Sequence, residues 1–98
     1  MTTAIELSGF QRDLLYVIAD VGPAKGLETR DEIQAYYAEE ITHTRVYTNL
    51  DTLVEQGLVE KGEMDRRSNA YELSARGKQV LESRLEWQRE RFDAEVRA

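Results

Sequence analysis

The sequence contains no cysteine, which excludes disulfide bonds, thiolate catalysis and cysteine metal sites. It also has no long apolar run, because the longest one, residues 14–19, is far shorter than the roughly 20 residues that span a bilayer. Residues 1–6 carry no positive charge ahead of an apolar block, so they do not resemble a secretory signal. We therefore expect a soluble, cytoplasmic protein with no membrane partner.

Positive charge is scarce as well. The 13 lysines and arginines are outnumbered by 19 acidic residues, and a net charge of −6 argues against non-specific coating of nucleic acid or anionic lipid. Any contact with nucleic acid must then be local. Only Lys25, Lys61 and Lys78 are lysines. An acidic excess with few lysines is typical of cytosolic proteins of salt-loving archaea, and an ordinary acidic bacterial protein is the alternative interpretation.

The chain has 98 residues, which is about one small domain. A chain this short buries only roughly 60 to 65% of its unfolded surface, so a deep catalytic pocket is not expected unless two copies share surface. No serine stands in a recognisable order with a histidine and an acid, and the pair Asp31 and Glu32 suits a helix start better than acid–base chemistry. We expect no enzymatic activity and no cofactor.

Three helices are predicted in the first half of the chain. The first follows Ser8 as a cap and ends at Gly22 and Pro23, and the third runs from about Thr42 to Gln56 before a left-handed Gly57. Their apolar residues recur at helical spacing, at Phe10, Leu14, Val17, Ile18 and Val21 in the first helix and at Val46, Leu50, Leu53 and Val54 in the third.

The second helix is predicted from the capping box that runs from Thr29 to Glu32. This helix should bury Ile33, Tyr36 and Tyr37 and end in the polar pair at residues 39–40. Residues 27–28 are a candidate for a very short strand before it.

A hairpin and a last helix complete the predicted order. Residues 58–63 and 69–73 have extended-type character and flank a charged turn at residues 64–68. Ser74 then caps a helix that runs to the C-terminus and carries an apolar stripe. The members of this stripe are Leu81, Leu85, Gln88, Phe92 and Val96, widened by Val80 and Trp87. We expect a mainly α (α+β) protein, with residues 1–74 as a winged helix-turn-helix DNA-binding domain and residues 75–98 as a dimerisation helix packed on it.

The pattern resembles the PadR family of transcriptional regulators from about Leu7 to Phe92. The resemblance rests on Val46 and Tyr47, on Leu50, Leu53 and residues 57–59, and on Arg66, Arg67, Tyr71, Leu73, Ser74 and Gly77. Together with the acidic composition, it is similar to haloarchaeal members, among them a regulator that responds to reactive oxygen species. Gly26 and Leu27 depart from the glycine–tyrosine pair that often opens the second helix of the family.

The third helix is the predicted recognition helix, because its first half carries no acid in a chain this acidic. It offers side chains that suit phosphates and base edges, with Arg45 as the main candidate for base readout and Thr48 and Asn49 next. The candidate set is Thr42, His43, Thr44, Arg45, Tyr47, Thr48 and Asn49. A merely solvated helix face is the alternative, and for Tyr47 packing and a phosphate contact remain equally open.

Basic residues outside this helix extend the candidate interface. Lys61, Arg66 and Arg67 lie on the predicted wing and suit phosphates or a narrow minor groove, whereas a turn that only aids solubility is the alternative. Arg30, in the first turn of the predicted second helix, is placed to meet the DNA backbone. A weak metal site at Glu39, Glu40 and His43 is improbable, because His43 is the only histidine.

The predicted dimer surface comprises Phe10, Leu81, Leu85, Trp87, Gln88, Phe92 and Val96, since an apolar stripe on so short a chain needs a partner. Phe10, Tyr16, Trp87 and Phe92 could instead line an aromatic ligand pocket, although packing is the simpler interpretation. We expect a homodimer on pseudo-palindromic DNA that acts in the stress (oxidative) response of a halophile, with salt ions at the DNA interface. A winged-helix protein–protein interaction module without DNA binding is the alternative function.

Overall fold

The computed structural model describes the backbone of residues 6–65 and 68–97 and the side chains of residues 6–65 and 68–92. Its elements are α1 (Gly9–Val21), β1 (Ala24–Lys25), α2 (Gly26–Tyr37), α3 (His43–Glu55), β2 (Val59–Asp65), β3 (Ser68–Leu73) and α4 (Ala75–Arg97). The predicted order of three helices, a hairpin and a last helix is confirmed, and a short strand does precede α2, although at Ala24–Lys25 and not at residues 27–28. Within the described residues, no helix is both long enough and apolar enough to cross a membrane.

The predicted ends of α1 and α3 are confirmed by their capping contacts. The Ser8 hydroxyl accepts a hydrogen bond from the Gln11 amide, and the Gln11 side chain accepts one from the Ser8 amide, each at 3.1 Å. The Thr42 hydroxyl accepts from the Arg45 amide at 3.1 Å. Gly57 follows α3 with a φ of 76°, a left-handed conformation that glycine adopts without steric cost.

The predicted start of α2 is wrong. The helix begins at Gly26, where the Glu28 carboxylate accepts from the Lys25 amide at 2.9 Å. Thr29 lies inside the helix, fully buried, and its hydroxyl donates to the Lys25 carbonyl at 3.2 Å. Thr29 therefore does not cap the helix, and Arg30 follows the first turn instead of belonging to it. The short strand lies at Ala24–Lys25, because these residues pair with β3, and residues 27–28 are helical.

The predicted burial along α2 is correct for Ile33 and wrong for Tyr36. Ile33 is fully buried, whereas the Tyr36 side chain is 77% exposed. The helix also ends at Tyr37, earlier than predicted, because Ala38 adopts a left-handed φ of 56°. The polar pair Glu39 and Glu40 therefore belongs to the turn between α2 and α3.

The hairpin forms the wing of a small antiparallel sheet with the strand order β1-β3-β2. Val59 pairs with Leu73 at the base of the hairpin, and the register shifts between Glu63 and Asp65 near its tip. β1 pairs with the base of the central strand, where Ala24 lies opposite Tyr71. The strands extend further into the predicted turn than expected, and Arg66 and Arg67 lie outside the described residues.

The core lies between α1, α3 and the base of the sheet. Its buried side chains are Phe10, Leu14, Leu15, Ile18, Ile33, Ile41, Val46, Leu50, Leu53, Leu58, Val59, Tyr71 and Leu81. Among its described side chains, α4 contributes the buried Leu81 to this cluster, the half-buried Val80 packs against it, and residues 85–92 are exposed. Among the described residues, α4 therefore packs on the domain through its first turns.

Candidate DNA interface

The first half of α3 presents a polar face to solvent. Thr44, Arg45 and Thr48 are exposed, whereas Val46 and Leu50 on the opposite side are fully buried. No acidic residue lies in the first turn of α3, and the helix N-terminus supplies a partial positive charge. This face therefore offers a cationic side chain and hydroxyl groups at a helix end that favours anions.

Arg45 has defined contacts despite its exposure. Its guanidinium carbon lies 4.0 Å from the centre of the Phe10 ring, which is a cation–π contact. Its Nη1 lies 3.8 Å from the Glu39 carboxylate, in an ion pair whose side chains are 45% and 59% exposed. An ion pair this exposed contributes little free energy, so Glu39 does not prevent Arg45 from binding another acceptor.

Asn49 is more constrained than the sequence indicated. Its Oδ1 accepts a hydrogen bond from the Gln11 side chain at 3.0 Å, and its Nδ2 donates to the Arg45 carbonyl at 2.7 Å. Bidentate contact with adenine uses one N–H and one lone pair of the amide, so the two existing bonds leave Asn49 its second N–H and second lone pair and restrict its orientation. Thr48 is exposed, and its carbonyl accepts from the Thr52 hydroxyl at 3.1 Å.

Tyr47 and His43 lie at the side of α3 that faces α2. A methyl group at Gly26 would lie 2.5 Å from the Tyr47 ring, so the tyrosine occupies the space that a side chain would need there. The His43 ring packs edge-on against Tyr47 with 6.4 Å between ring centres. Tyr47 is half-buried, so it packs against the core edge while a phosphate contact through its hydroxyl stays a prediction.

Arg30 lines an open cleft of about 850 Å³ between α2 and the start of α3. Its Nη2 lies 3.1 Å from the Asp31 carboxylate, and its Nε is buried without a hydrogen-bond partner among the described residues. Thr42 and His43 line the same cleft. The structure thus brings Arg30 to the N-terminal end of α3, as the prediction of a backbone contact requires.

Among the described residues of the wing, Lys61 is the one basic side chain. Lys61 is exposed on β2 and lies opposite Tyr71 in the hairpin. Glu63 is also exposed, and Asp65 lies 3.6 Å from the Lys25 ammonium group. The wing therefore carries acidic and basic side chains together. Among residues 6–65 and 68–92, no cluster of three or more acidic or histidine side chains is arranged to hold a metal ion.

The predicted dimer residues separate into two groups. Leu85, Trp87 and Phe92 are 39%, 47% and 67% exposed, and Gln88 is exposed beside them. Phe10 and Leu81 are buried within the protomer at 7% and 6% exposure, so they offer little area to a partner. The side chain of Val96 lies outside the described residues.

Gln11 and Glu39 contact side chains of α3, which the sequence did not predict. Phe10 lies beneath Arg45 of α3, although it was expected in the dimer surface. Phe10 and Gln11 precede Arg45 and Asn49 by 35 and 38 residues, and no local pattern reports contacts over that separation. Gln11 carried one signal, its place three residues after Ser8 in a capping box, but this signal concerns α1 alone.

Comparison with known proteins gives a family and a fold. The sequence profile of the PadR-like family of transcriptional regulators matches residues 14–83. A structure of RosR from H. salinarum, grown from NaBr, is 41% identical, has a TM-score of 0.86, and aligns over 92% of this chain and 81% of its own. A search of curated proteins finds no match.

Two more distant structures share the fold. FabT of Streptococcus pneumoniae in complex with DNA is 18% identical, with a TM-score of 0.75 over 95% of this chain and 62% of that chain. A winged-helix DNA-binding protein from STIV is 17% identical, with a TM-score of 0.71 over 87% and 92% of the two chains. At these identities the similarity concerns the winged-helix fold alone.

Proposed function

The chain belongs to the PadR-like family of transcriptional regulators, and from this premise we propose that it acts as a homodimer on pseudo-palindromic DNA sites. The family assignment makes it a DNA-binding regulator of transcription and not an enzyme. It also favours DNA binding over the alternative of a pure protein–protein interaction module. The positions of its DNA contacts, its dimeric state and its signal are the parts that we propose.

One observation carries the proposal, namely the exposed, acid-free first half of α3 with Arg45 at its centre. In a helix-turn-helix, the N-terminal part of the recognition helix contacts base edges in the major groove. Arginine makes two parallel hydrogen bonds to guanine O6 and N7. We assign base readout to Arg45, with Thr44 and Thr48 for phosphates or thymine methyl groups.

Contacts to the DNA backbone are assigned to residues around this helix. Arg30, Thr42 and His43 line the cleft at the start of α3 together with the acidic Asp31, Glu39 and Glu40. We assign the phosphate contact to the first three, which lie at the helix end that favours anions. Lys61 is exposed on β2 and suits the backbone beside the wing, and we extend this role to Arg66 and Arg67 at its tip. Among the described members of the predicted set, Arg30, Tyr47 and Asn49 are half-buried and the others are exposed.

The homodimer is supported by the exposed half of α4. Leu85, Trp87 and Phe92 are exposed on a helix that leaves the domain core after Leu81. Large apolar side chains on a helix surface favour burial against a partner, and a two-fold symmetric pair is the commonest arrangement. Such a dimer would place its recognition helices in major grooves about 34 to 36 Å apart, or a multiple of that distance.

A halophilic setting is supported by the acidic composition and by the similarity to RosR of H. salinarum. We propose that salt cations bridge DNA phosphates and exposed wing carboxylates such as Glu63, which would otherwise repel the backbone. A role in the oxidative-stress response of a halophilic archaeon is the corresponding physiological proposal.

The test combines selection of DNA with one substitution. The purified full chain selects duplexes from a random library, and affinities of the enriched duplex are measured for the wild type, Arg45→Ala and Arg45→Lys. We expect Arg45→Ala to cost about 1 to 3 kcal/mol and to relax the preference at one base pair per half-site. Arg45→Lys should retain attraction to phosphates but lose much of this preference, because lysine lacks the bidentate geometry.

Enrichment of a two-fold repeated sequence would support both DNA readout and the dimer. Wild-type affinity in Arg45→Ala would exclude Arg45 as the reader. If no sequence is enriched at any salt concentration, sequence-specific binding by this chain alone is wrong.

A further inference from the structure

Arg45 and Asn49 lie one turn apart on α3, and both contact the first turn of α1. Phe10 lies beneath the guanidinium of Arg45 at 4.0 Å, and the next residue, Gln11, donates to Asn49 at 3.0 Å. Two neighbouring residues of α1 thus meet two residues on the same face of α3. This pairing fixes the position of α1 relative to α3 at the point where Arg45, the candidate base-reading residue, projects from α3.

The Phe10 ring is itself fixed from α2. It packs edge-on against the Tyr37 ring, with 5.8 Å between ring centres and 75° between ring planes. The Tyr37 hydroxyl donates to the Asp13 carboxylate at 2.7 Å, which ties the tyrosine to α1. Asp13, Tyr37 and Phe10 therefore form a connected support, called here the aromatic platform, on which the Arg45 side chain rests.

The contact leaves the hydrogen-bonding edge of Arg45 usable. A ring stacked on a guanidinium covers one face, whereas the N–H donors lie in the guanidinium plane. An arginine side chain carries rotamer entropy that is lost when the side chain is fixed, and holding it in advance reduces that cost on binding. Phe10 is 7% exposed, so it lies under the reader without competing for the base.

We propose that Phe10 is a positioning residue for DNA readout, because the aromatic platform holds the guanidinium of Arg45 in its base-reading orientation. This inference rests on the proposed function, in which Arg45 reads a base. It gives Phe10 a role within one protomer, in place of the dimer contact that the sequence suggested.

Phe10 is also part of the core, so a simple loss of binding would not separate positioning from packing. A double-mutant cycle makes this separation, because a residue that acts through Arg45 has no effect once Arg45 is absent. The probe is the duplex that the wild-type full chain enriches from a random library. The variants are Phe10→Leu, Arg45→Ala and the double variant, with Tyr37→Phe as a milder change that removes only the hydroxyl contact to Asp13.

We expect Phe10→Leu to weaken binding of the enriched duplex by about three- to fivefold, the size of an exposed cation–π contact. The preference at the base pair that Arg45→Ala relaxes should fall by a similar factor. When Arg45→Ala is already present, adding Phe10→Leu should change the affinity by less than about twofold. Tyr37→Phe should act in the same direction as Phe10→Leu and should also lose its effect in the Arg45→Ala background.

Three results would overturn the inference. Equal losses from Phe10→Leu in both backgrounds would assign Phe10 to packing alone. Unchanged binding by Phe10→Leu, while Arg45→Ala binds weakly, would remove the positioning role and leave the proposed function intact. Unchanged binding by Arg45→Ala itself would contradict both the assignment of base readout to Arg45 and the positioning role of Phe10. If Phe10→Leu does not fold, as judged by its melting transition, the Tyr37→Phe cycle decides by the same criteria.

Discussion

Gly77 lies where the first turn of α4 passes the backbone of Leu58. A methyl group at this position would overlap the Leu58 carbonyl oxygen and would approach the Leu73 side chain to 2.8 Å. Gly9, at the start of α1, has nothing within 4 Å of the same added atom. The two glycines are therefore a matched pair, both helical but differing in the space around them.

We expect Gly77→Ala to lower the free energy of unfolding by roughly 1 to 3 kcal/mol, because a backbone carbonyl cannot move aside cheaply. Gly9→Ala should raise it by about 0.4 to 1 kcal/mol, since alanine has fewer unfolded conformations to lose. Urea denaturation of both variants and the wild type gives the comparison. A stabilised Gly77→Ala would show that α4 moves away from Leu58 easily.

Ionisation of the Tyr37 hydroxyl should lower the stability of the protein at alkaline pH. Burial raises its pKa from 10.0 to about 12, and the hydrogen bond to Asp13 and the charge of that carboxylate act in the same direction. The folded state therefore binds the phenolic proton more tightly than the unfolded state does. Its contribution to stability is complete below pH 10 and is lost as the pH rises from 10 to 12.

Tyr37→Phe should make the melting temperature fall less steeply over this range, with Tyr36→Phe, a change at the exposed neighbouring ring, as the control. Part of the fall should remain in Tyr37→Phe, because burial also raises the pKa of Tyr71. Identical pH profiles for the wild type and Tyr37→Phe would contradict the assigned burial of the hydroxyl.

At the scale of the elements, α4 is a helix with two environments. Its first turns contact α1 and β3, whereas its described side chains from Leu85 onward are exposed. Phe92 is 67% exposed, so a partner could bury a large area of its apolar side chain. Phe92→Glu would place a charge in the proposed dimer interface, where burial without a partner is costly.

We expect Phe92→Glu to shift the protein toward monomer in analytical ultracentrifugation and to remove the concentration dependence of its melting temperature. Gln79→Glu is the matched control, because Gln79 is exposed and the helical period places it away from Leu85, Trp87 and Phe92. An unchanged dimer in Phe92→Glu would place the interface elsewhere.

The elements that the sequence predicts well are those with local signals. α1 and α3 have an apolar period, a polar cap and a glycine after the last turn, and each signal involves residues within a few positions. α2 has two competing start signals, and the pair of Lys25 and Glu28 forms in place of that of Thr29 and Glu32. Pairing of β1 with β3 supports the earlier start, and this long-range contact leaves no local pattern.

In the candidate interface, too, some features follow from local sequence and others depend on tertiary contacts. The exposure of Thr44, Arg45 and Thr48 follows from the buried stripe of α3, so it could be predicted. The contacts of Arg45 with Phe10 and of Asn49 with Gln11 arise when α1 packs across α3, and they depend on tertiary geometry. The exposure of Tyr36 could not be predicted either, because the helical period does not show how much of the α2 surface packs against the rest of the domain.

At the scale of the whole molecule, the excess of acid predicts an unusual response to salt. A protein that releases counterions from DNA loses affinity steeply as salt rises. With cations held between phosphates and wing carboxylates, affinity should instead hold or increase from low to molar potassium chloride. Glu63→Gln should restore part of the loss of DNA affinity with rising salt. Anisotropy titrations of the enriched duplex across a salt series measure this affinity for the wild type and the variant. A steep loss in the wild type would contradict the bridging cations.

Ser74 joins the end of α3 to the start of α4. Its hydroxyl donates to the Gly57 carbonyl at 2.6 Å and accepts from the Gly77 amide at 3.0 Å, while its own amide donates to the Leu58 carbonyl at 3.0 Å. A helix of 23 residues is about 34 Å long, so a small change of its angle at Ser74 produces a larger displacement at its C-terminal end. A tilt of about 5° at Ser74 displaces the far end of α4 by about 3 Å. In the proposed dimer, a small adjustment where the two copies meet would change the angle at which each copy approaches the DNA.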